Sequence, residues 1–138
     1  MPEVTVQLCQ VGPSTSEATL PRGHKVLVDR PEAKGGADKG PMGGEYFLAA
    51  VGGCFMSTLL AAIKAREAPV TNVCTDVKGI LAEDPTRFES VSLLVRADCE
   101  DDELLHRLVQ IAENGCIMVT TLKRGIEFSV SAGAAAQV

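Results

Sequence analysis

Apolar and polar residues alternate in three short stretches near the start of the chain. In the first, Val4, Val6 and Leu8 alternate with polar residues, a period of two that indicates a half-buried β-strand. Residues 17–20 and 24–29 follow, separated by turn-forming residues, and predict a second and a third strand.

A different pattern occupies residues 45–64, where no charged residue lies between Glu45 and Lys64. Apolar side chains occur on every side of this segment, which predicts a buried helix from about residue 43 to residue 66. One sheet face cannot cover such a helix, so a second subunit is the simplest partner for its other side. The run reaches the length of a membrane span, but its Ala, Gly, Ser and Thr content favours a buried helix.

Residues 30–44, which connect the third strand to this helix, contain five glycines and two prolines. This composition is typical of a loop, and the loop is long for a compact domain. It is either a functional segment or a plain surface connection, and the composition leaves both open.

After the helix, alternation returns in residues 73–81 and 91–97, on either side of a turn, and predicts a β-hairpin. Asp101 is expected to cap a second helix. Gly115, in the left-handed conformation, is expected to end that helix. A last strand is predicted at residues 126–130.

The predicted order is β-β-β-α-β-β-α-β, with mostly antiparallel sheets and a long buried central helix, which is the α+β class. A chain of 138 residues fits a single domain, 1–138, with a frayed tail at 132–138.

The formal net charge of −5 and the lack of a long Lys/Arg cluster argue against a nucleic-acid surface. The first residues, MPEVTVQLCQ, lack the basic n-region of a secretory signal. Five widely spaced cysteines without CxxC spacing are best interpreted as reduced thiols of a cytoplasmic protein, and they argue against a zinc site. The cysteines are Cys9, Cys54, Cys74, Cys99 and Cys116.

Cys116 has the better local argument for reactivity, because it lies at the start of a short helical turn. Free N–H groups and the positive end of a helix dipole favour a thiolate there. Cys54 lies about nine residues into its helix and would need an external cation or hydrogen-bond donor. Periodicity alone does not show that the two sulfurs meet.

Two stretches resemble the OsmC/Ohr family, the osmotically inducible proteins and organic hydroperoxide resistance proteins. They are DRPEAKGGADKGPMGGEYFLAAVGGC, at residues 29–54, and AENGCIMVTTL, at residues 112–122. The similarity extends over about residues 24–131 and includes the order of elements, closer to the OsmC-like members than to the Ohr peroxidases.

The resemblance implies an intertwined homodimer with active sites at the subunit interface. It also implies a thiol-dependent peroxidase that reduces organic hydroperoxides to alcohols. Cys54 would be the peroxidatic cysteine, forming a sulfenic acid, and Cys116 would resolve it as a disulfide. An external dithiol, possibly lipoyl-type, would regenerate the thiols, with no metal or bound cofactor. An apolar wall would suit an organic hydroperoxide, and it comprises Phe47, Val51, Phe55 and Met118.

Two departures from the peroxidase pattern bear on the activation of Cys54, and a third, Ile117 in place of the usual Pro after the second cysteine, is expected to be mild. The peroxidases carry a Glu ten residues before the first cysteine, whereas Glu45 lies nine before Cys54. Catalytic assistance and helix capping are both open for it. An Arg in the early strands is also expected, and Arg22 is the nearest candidate, with Arg30 second. These departures keep an alternative open, a stress-associated or small-molecule-binding dimer of the same fold with little peroxidase activity.

Overall fold

The structure is a computed structural model that describes residues 1–133. Its strands and helices follow the predicted order as far as the second helix. They are β1 (Gln7–Gln10), β2 (Ser16–Thr19), β3 (Lys25–Val28), α1 (Gly43–Ala65), β4 (Thr71–Ala82), β5 (Arg87–Asp98), α2 (Asp102–Gly115) and α3 (Ile117–Arg124). The α+β class and the antiparallel sheets are confirmed.

The chain divides into two compact units, and α1, β4 and β5 each contribute to both. The first unit comprises residues 1–52 and 76–94. The second comprises residues 53–75 and the chain from residue 95 onward. The single domain expected from the chain length therefore stays a prediction.

In the first unit, β1, β2 and β3 form an antiparallel sheet in that order. The pairing places Ala18 of β2 between Leu8 and Val26, and the Ala18 side chain is buried. β1 itself is exposed along its whole length, so Leu8 and Cys9 are both open to solvent. The predicted strand is formed only from Gln7 onward, so Val4 and Val6 lie outside it, and nothing in the described chain covers the apolar side of β1.

Asp29, directly after β3, connects two loops of the first unit. Its carboxylate is 3% exposed and accepts hydrogen bonds from Ser14 Oγ (2.8 Å) and Thr15 Oγ1 (2.7 Å). It also accepts from the backbone N–H of Arg30 (2.7 Å) and Lys39 (3.1 Å). Burial by itself raises the pKa of this carboxyl, but the four hydrogen bonds outweigh burial and hold the pKa well below its usual range.

The loop of residues 30–42 is thus anchored to β3 and to the start of α1. The N–H of Asp29 donates to the carbonyl of Pro41 (3.1 Å), and the Tyr46 hydroxyl donates to the carbonyl of Leu27 (2.8 Å). These contacts give the Gly-rich segment a defined path despite its composition.

The first part of α1 and the hairpin tip form the remaining apolar contacts of this unit. Val51 is 1% exposed, and a Cβ on Gly52 would lie 2.6 Å from Val77 Cγ2 of β4. The rings of Phe47 and Phe88 are 5.3 Å apart between centroids. The close approach to Val77 explains the glycine at position 52, which is unfavourable inside a helix by about 1 kcal/mol relative to Ala.

The second unit is built from the rest of α1 together with α2 and α3. Asp101 accepts a hydrogen bond from the N–H of Leu104 (3.1 Å), which confirms the predicted cap of α2. The buried side chains of this unit are Phe55, Leu59, Ala62, Ile63, Val70, Leu108, Ala112 and Cys116.

The end of α2 differs from its prediction. Gly115 is not among the glycines with positive φ. The helix instead stops because Cys116 is extended (φ −85°, ψ 121°), and α3 begins immediately after it.

The predicted last strand is not formed in this chain. Residues 125–133 have no strand partner, and the alternating Ile126, Phe128 and Val130 are 73%, 84% and 83% exposed. A strand needs a neighbour for its backbone hydrogen bonds, and the described residues provide none here. The tail predicted to fray lies outside the described residues from position 134 on.

One side of α1 is uncovered. By length and composition α1 is capable of crossing a membrane, and 28% of its most apolar window is buried. The core helix of a soluble protein meets the same criteria, so this is weak evidence for a membrane. The exposed positions recur at helical spacing and comprise Ala49, Ala50, Gly53, Ser57, Leu60, Ala61 and Lys64.

Candidate active site

The sulfur atoms of Cys54 and Cys116 lie 3.4 Å apart in the second unit. Sixty-two residues of sequence separate the two cysteines, with Cys54 in the middle of α1 and Cys116 between α2 and α3. The hydrogen bond between them runs from the Cys116 thiol to the Cys54 sulfur. A disulfide has a sulfur–sulfur bond near 2.05 Å, so the pair is about 1.4 Å from covalent contact.

The position of Cys116 follows from the helix break. This single extended residue ends α2 and is the N-cap residue of α3, and its side chain makes no capping hydrogen bond to the first turn of α3. The side chain is 0% exposed.

The predicted preference of Cys116 for the thiolate is not found. Burial raises the pKa of its thiol most strongly, the N–H of Val119 lowers it, the contact with Cys54 raises it again, and the N–H of Met118 lowers it. The net direction is upward, because desolvation of a fully buried sulfur outweighs the effect of the two amide N–H groups.

Cys54 has more solvent access than Cys116, since its side chain is half-buried. One turn further along α1, Thr58 Oγ1 donates to the backbone carbonyl of Cys54 (3.1 Å). The Thr58 methyl group packs against Gly115, where a Cβ would lie 3.3 Å from Thr58 Cγ2. Thr58 and Gly115 thus lie in the contact that brings the two cysteines together.

Sequence reasoning overlooked this contact. Gly115 was interpreted as a helix-ending glycine, whereas its lack of a side chain permits the approach of α2 to α1. A glycine beside a reactive cysteine, at a position where φ is not positive, is the signal that points to close packing.

The other three cysteines differ in exposure. Cys9 and Cys74 are exposed on β1 and β4. Cys99 is half-buried, and its thiol donates to the carbonyl of Asp101 (3.2 Å). Cys99 also lines a cavity of about 460 Å³ with Pro69, Asp98, Glu100 and Asp101.

Glu45 is exposed and makes a helix-capping contact. Its Oε1 accepts a hydrogen bond from the N–H of Met42 (2.9 Å), the residue that precedes α1. This is the backward hydrogen bond that a Glu in the first turn makes in a capping box. The capping interpretation of Glu45 is therefore observed, and its predicted assistance to Cys54 stays a prediction.

The two arginine candidates lie in exposed parts of the first unit. Arg22 is in the turn between β2 and β3, where the N–H of Gly23 donates to the carbonyl of Leu20 (2.9 Å). Arg30 is exposed in the loop, and its backbone N–H contacts the Asp29 carboxylate.

The four residues of the predicted apolar wall are divided between the units. Phe47 and Val51 belong to the first unit, and Phe55 and Met118 to the second. Val51 and Phe55 are buried, whereas Phe47 and Met118 are half-buried. A cavity of about 420 Å³ in the first unit is lined by none of these four residues. It is lined by Pro31, Asp38, Lys39, Gly40, Pro41, Met42 and Glu45.

Within residues 1–133, no group of three or more His, Cys, Asp or Glu side chains is arranged to hold a metal ion. What the described cysteine pair can do is thiol chemistry, with an accessible sulfur beside a buried one.

The chain is similar to known proteins in sequence pattern and in fold. A family model described as OsmC-like protein matches residues 36–131. No curated protein gives a significant match. The fold is similar to that of an OsmC-like protein from Mycoplasma pneumoniae, with a TM-score of 0.74, 14% identity and 88% of each chain covered.

Two solved organic hydroperoxide resistance proteins share the fold as well. The protein from Elizabethkingia anophelis has a TM-score of 0.69 and 21% identity, with 91% of this chain and 93% of that chain covered. OhrB of Bacillus subtilis has a TM-score of 0.64 and 20% identity, with 86% of this chain and 90% of that chain covered.

Proposed function

Since this chain belongs to the OsmC-like protein family, we propose that it is a thiol-dependent peroxidase that reduces organic hydroperoxides to alcohols. The observation that carries the proposal is the 3.4 Å contact between the sulfurs of Cys54 and Cys116. Two solved structures of similar fold are named organic hydroperoxide resistance proteins.

The unequal burial of the two sulfurs supports distinct roles. A peroxide must reach the attacking sulfur, and Cys54 is half-buried whereas Cys116 is fully buried. Cys54 is therefore assigned the first attack. Cys116, which solvent does not reach, is assigned the resolving step.

The chemistry proceeds in two steps. The Cys54 thiolate attacks the terminal oxygen of the hydroperoxide, the O–O bond breaks, and the leaving alkoxide takes a proton to become the alcohol. Cys54 is then a sulfenic acid. The Cys116 sulfur attacks the Cys54 sulfur, the S–O bond breaks, and the departing oxygen leaves as water. The two cysteines together have lost two electrons to the peroxide, and the product of this oxidation is the Cys54–Cys116 disulfide.

Recycling needs two electrons from outside the chain. A dithiol is the matching chemical class, because its first sulfur opens the disulfide and its second sulfur releases the mixed disulfide. We assign this role to an external dithiol of the lipoyl type. The proposal also places the protein in the cytoplasm, where all five cysteines stay reduced.

A homodimer is part of the proposal. The uncovered side of α1 and the exposed, alternating residues 126–130 both call for a covering surface. A second copy of the chain supplies one by symmetry. The active site at the subunit interface, and the apolar wall of Phe47, Val51, Phe55 and Met118, belong to this dimeric proposal.

Glu45 and Arg22 are proposed as assisting residues. Glu45 has an observed capping contact, so Glu45→Gln separates the two roles. Gln preserves the acceptor for the Met42 N–H but removes the charge. If Glu45 assists catalysis, Glu45→Gln is expected to slow turnover without changing stability. If Glu45 only caps the helix, the variant is expected to change neither turnover nor stability. Arg22→Ala tests the second residue, because a turn residue without a catalytic role tolerates the change.

The central experiment measures consumption of cumene hydroperoxide with a dithiol reductant. Cys54→Ser is expected to abolish turnover, and Cys74→Ser, which alters an exposed cysteine of β4, is the matched control. Mass spectrometry after one equivalent of hydroperoxide is expected to find a Cys54–Cys116 disulfide. Unchanged turnover in the Cys54 variant would refute the proposal.

Two observations favour a second function, a stress-associated or small-molecule-binding dimer with little peroxidase activity. The Glu45 carboxylate already accepts a backbone hydrogen bond, and Arg22 lies in an exposed turn. Rapid, stoichiometric loss of the Cys54 thiol on addition of cumene hydroperoxide would count against this alternative. A Cys54 thiol that persists under the same conditions would favour it.

A further inference from the structure

The two cysteine sulfurs are within hydrogen-bond distance before any peroxide arrives, at 3.4 Å, with the Cys116 thiol as the donor. A thiolate accepts such a bond more strongly than a neutral thiol, because hydrogen bonds to charged acceptors are the stronger ones. A protonated Cys116 is therefore placed to stabilise negative charge on the Cys54 sulfur.

Burial also favours a protonated Cys116. Cys116 is 0% exposed, so a negative charge on its sulfur would be removed from water, whereas Cys54 is half-buried and keeps part of its hydration. The raised pKa of the Cys116 thiol agrees with this assignment.

The contact that Thr58 adds within α1 goes to the backbone carbonyl of Cys54 and not to its sulfur. The Cys54 sulfur therefore stays available to accept the hydrogen bond from Cys116.

We propose that the Cys116 thiol activates Cys54 by donating a hydrogen bond to its thiolate, in addition to resolving the sulfenic acid. This inference rests on the proposed peroxidase function and makes Cys116 a catalytic residue in both steps. The expected substrate remains an organic hydroperoxide.

The start of α3 suits the second role. The backbone N–H groups of Met118 and Val119 lower the pKa of the Cys116 thiol, against the larger effect of burial. When Cys116 attacks, it gives up its proton, and the same N–H groups favour the charge that develops on its sulfur.

The protons balance over the two steps. A Cys54 thiolate, a Cys116 thiol, one hydroperoxide and one proton from solvent yield the disulfide, one alcohol and one water. The solvent proton converts the leaving alkoxide to the alcohol in the first step, and the Cys116 proton completes the water in the second. The Cys116 proton stays in place during the first step and leaves during the second.

The test uses a parent protein in which Cys9, Cys74 and Cys99 are replaced by Ser, so that Cys54 and Cys116 are the remaining thiols. Cys116→Ala removes the donor, and Cys116→Ser keeps a hydroxyl donor. Cys116→Val also removes the donor but fills the buried space, which guards against a folding defect in the Ala variant. Two quantities are measured, the pKa of Cys54 by ultraviolet thiolate absorbance and the rate of sulfenic acid formation with cumene hydroperoxide.

The Ala and Val variants are expected to raise the Cys54 pKa and to slow sulfenic acid formation about ten-fold. The Ser variant is expected to stay close to the parent in both quantities, although it cannot form the disulfide. Equal behaviour of the Ala, Val and Ser variants would overturn the inference and leave Cys116 as a resolving residue alone.

The two proposals fail in distinguishable ways. If the parent does not react with cumene hydroperoxide, the peroxidase function is refuted. The thiolate titration still decides the hydrogen bond in that case, because it requires no peroxide. If the parent reacts and the titration shows no difference among the three variants, only the activating role of Cys116 is refuted.

Discussion

Gly115 lies so close to Thr58 that a Cβ at position 115 would be 3.3 Å from Thr58 Cγ2. The two residues adjoin the reactive pair, since Gly115 precedes Cys116 and Thr58 lies one turn after Cys54 on α1. The separation of α1 and α2 at this contact helps to determine the distance between the two sulfurs.

Gly115→Ala is therefore expected to slow closure of the Cys54–Cys116 disulfide several-fold. The added methyl group pushes the end of α2 away from α1, while sulfenic acid formation at Cys54 stays near the parent rate. Stopped-flow measurement of the two steps checks this. Thr58→Ser removes the opposing methyl but keeps the hydroxyl that donates to the Cys54 carbonyl, so the double variant is expected to regain closure. Closure at the parent rate in Gly115→Ala would contradict the spacing argument.

Gly52 gives a comparable prediction for stability in the first unit. A Cβ at position 52 would lie 2.6 Å from Val77 Cγ2, so Gly52→Ala is expected to destabilise the fold by about 1–3 kcal/mol. Val77→Ala removes the opposing methyl group. Urea unfolding of both single variants and the double variant forms a double-mutant cycle. Strictly additive effects would show that the two positions do not clash.

Asp29 is expected to make stability depend on acid pH. Its folded-state pKa is below the unfolded value, so its contribution is fully present above the unfolded pKa of about 3.9 and is lost as the pH falls below it. Asp29→Asn is expected to unfold at lower urea concentration near neutral pH. The difference from the parent shrinks as the pH drops below about 4.

Glu32→Gln is the control for Asp29→Asn, because Glu32 is an exposed acid of the same loop. Its urea midpoint is expected to follow that of the parent across the pH range. A pH-independent difference between Asp29→Asn and the parent would show that charge on Asp29 is not what holds the loop.

Asp101 is expected to stabilise α2 through its cap. Asp101→Ala removes the acceptor for the Leu104 N–H and is expected to cost about 1 kcal/mol. Asp101→Asn keeps an acceptor at the same place and is expected to stay near the parent. Thermal unfolding followed by circular dichroism measures both, and equal losses would point to charge instead of capping.

Much of the local structure was predictable because local rules produce it. The alternation around Val26 and Val77 predicted strands, the uncharged run after Glu45 predicted α1 almost to the residue, and Asp101 predicted the cap of α2. The family was predictable for a different reason, since the two stretches around Cys54 and Cys116 resemble it and the family model matches the same region.

Predictions failed where a residue's environment comes from distant parts of the chain. Cys116 stands at a helix start, as predicted, but burial raises its pKa, and burial is not readable from its neighbours in sequence. Residues 126–130 alternate like a strand and form none, because alternation specifies a half-buried strand only when another strand is available to pair with it.

The sequence by itself determined where the helices and the hairpin lie and which two cysteines to compare, because short-range periodicity and capping depend on neighbouring residues. Only the tertiary structure decided that the two sulfurs meet at 3.4 Å and which of them is buried. Those properties depend on the packing of α1 against α2 and α3, across sixty-two residues of chain, and no local pattern encodes a distance over that separation.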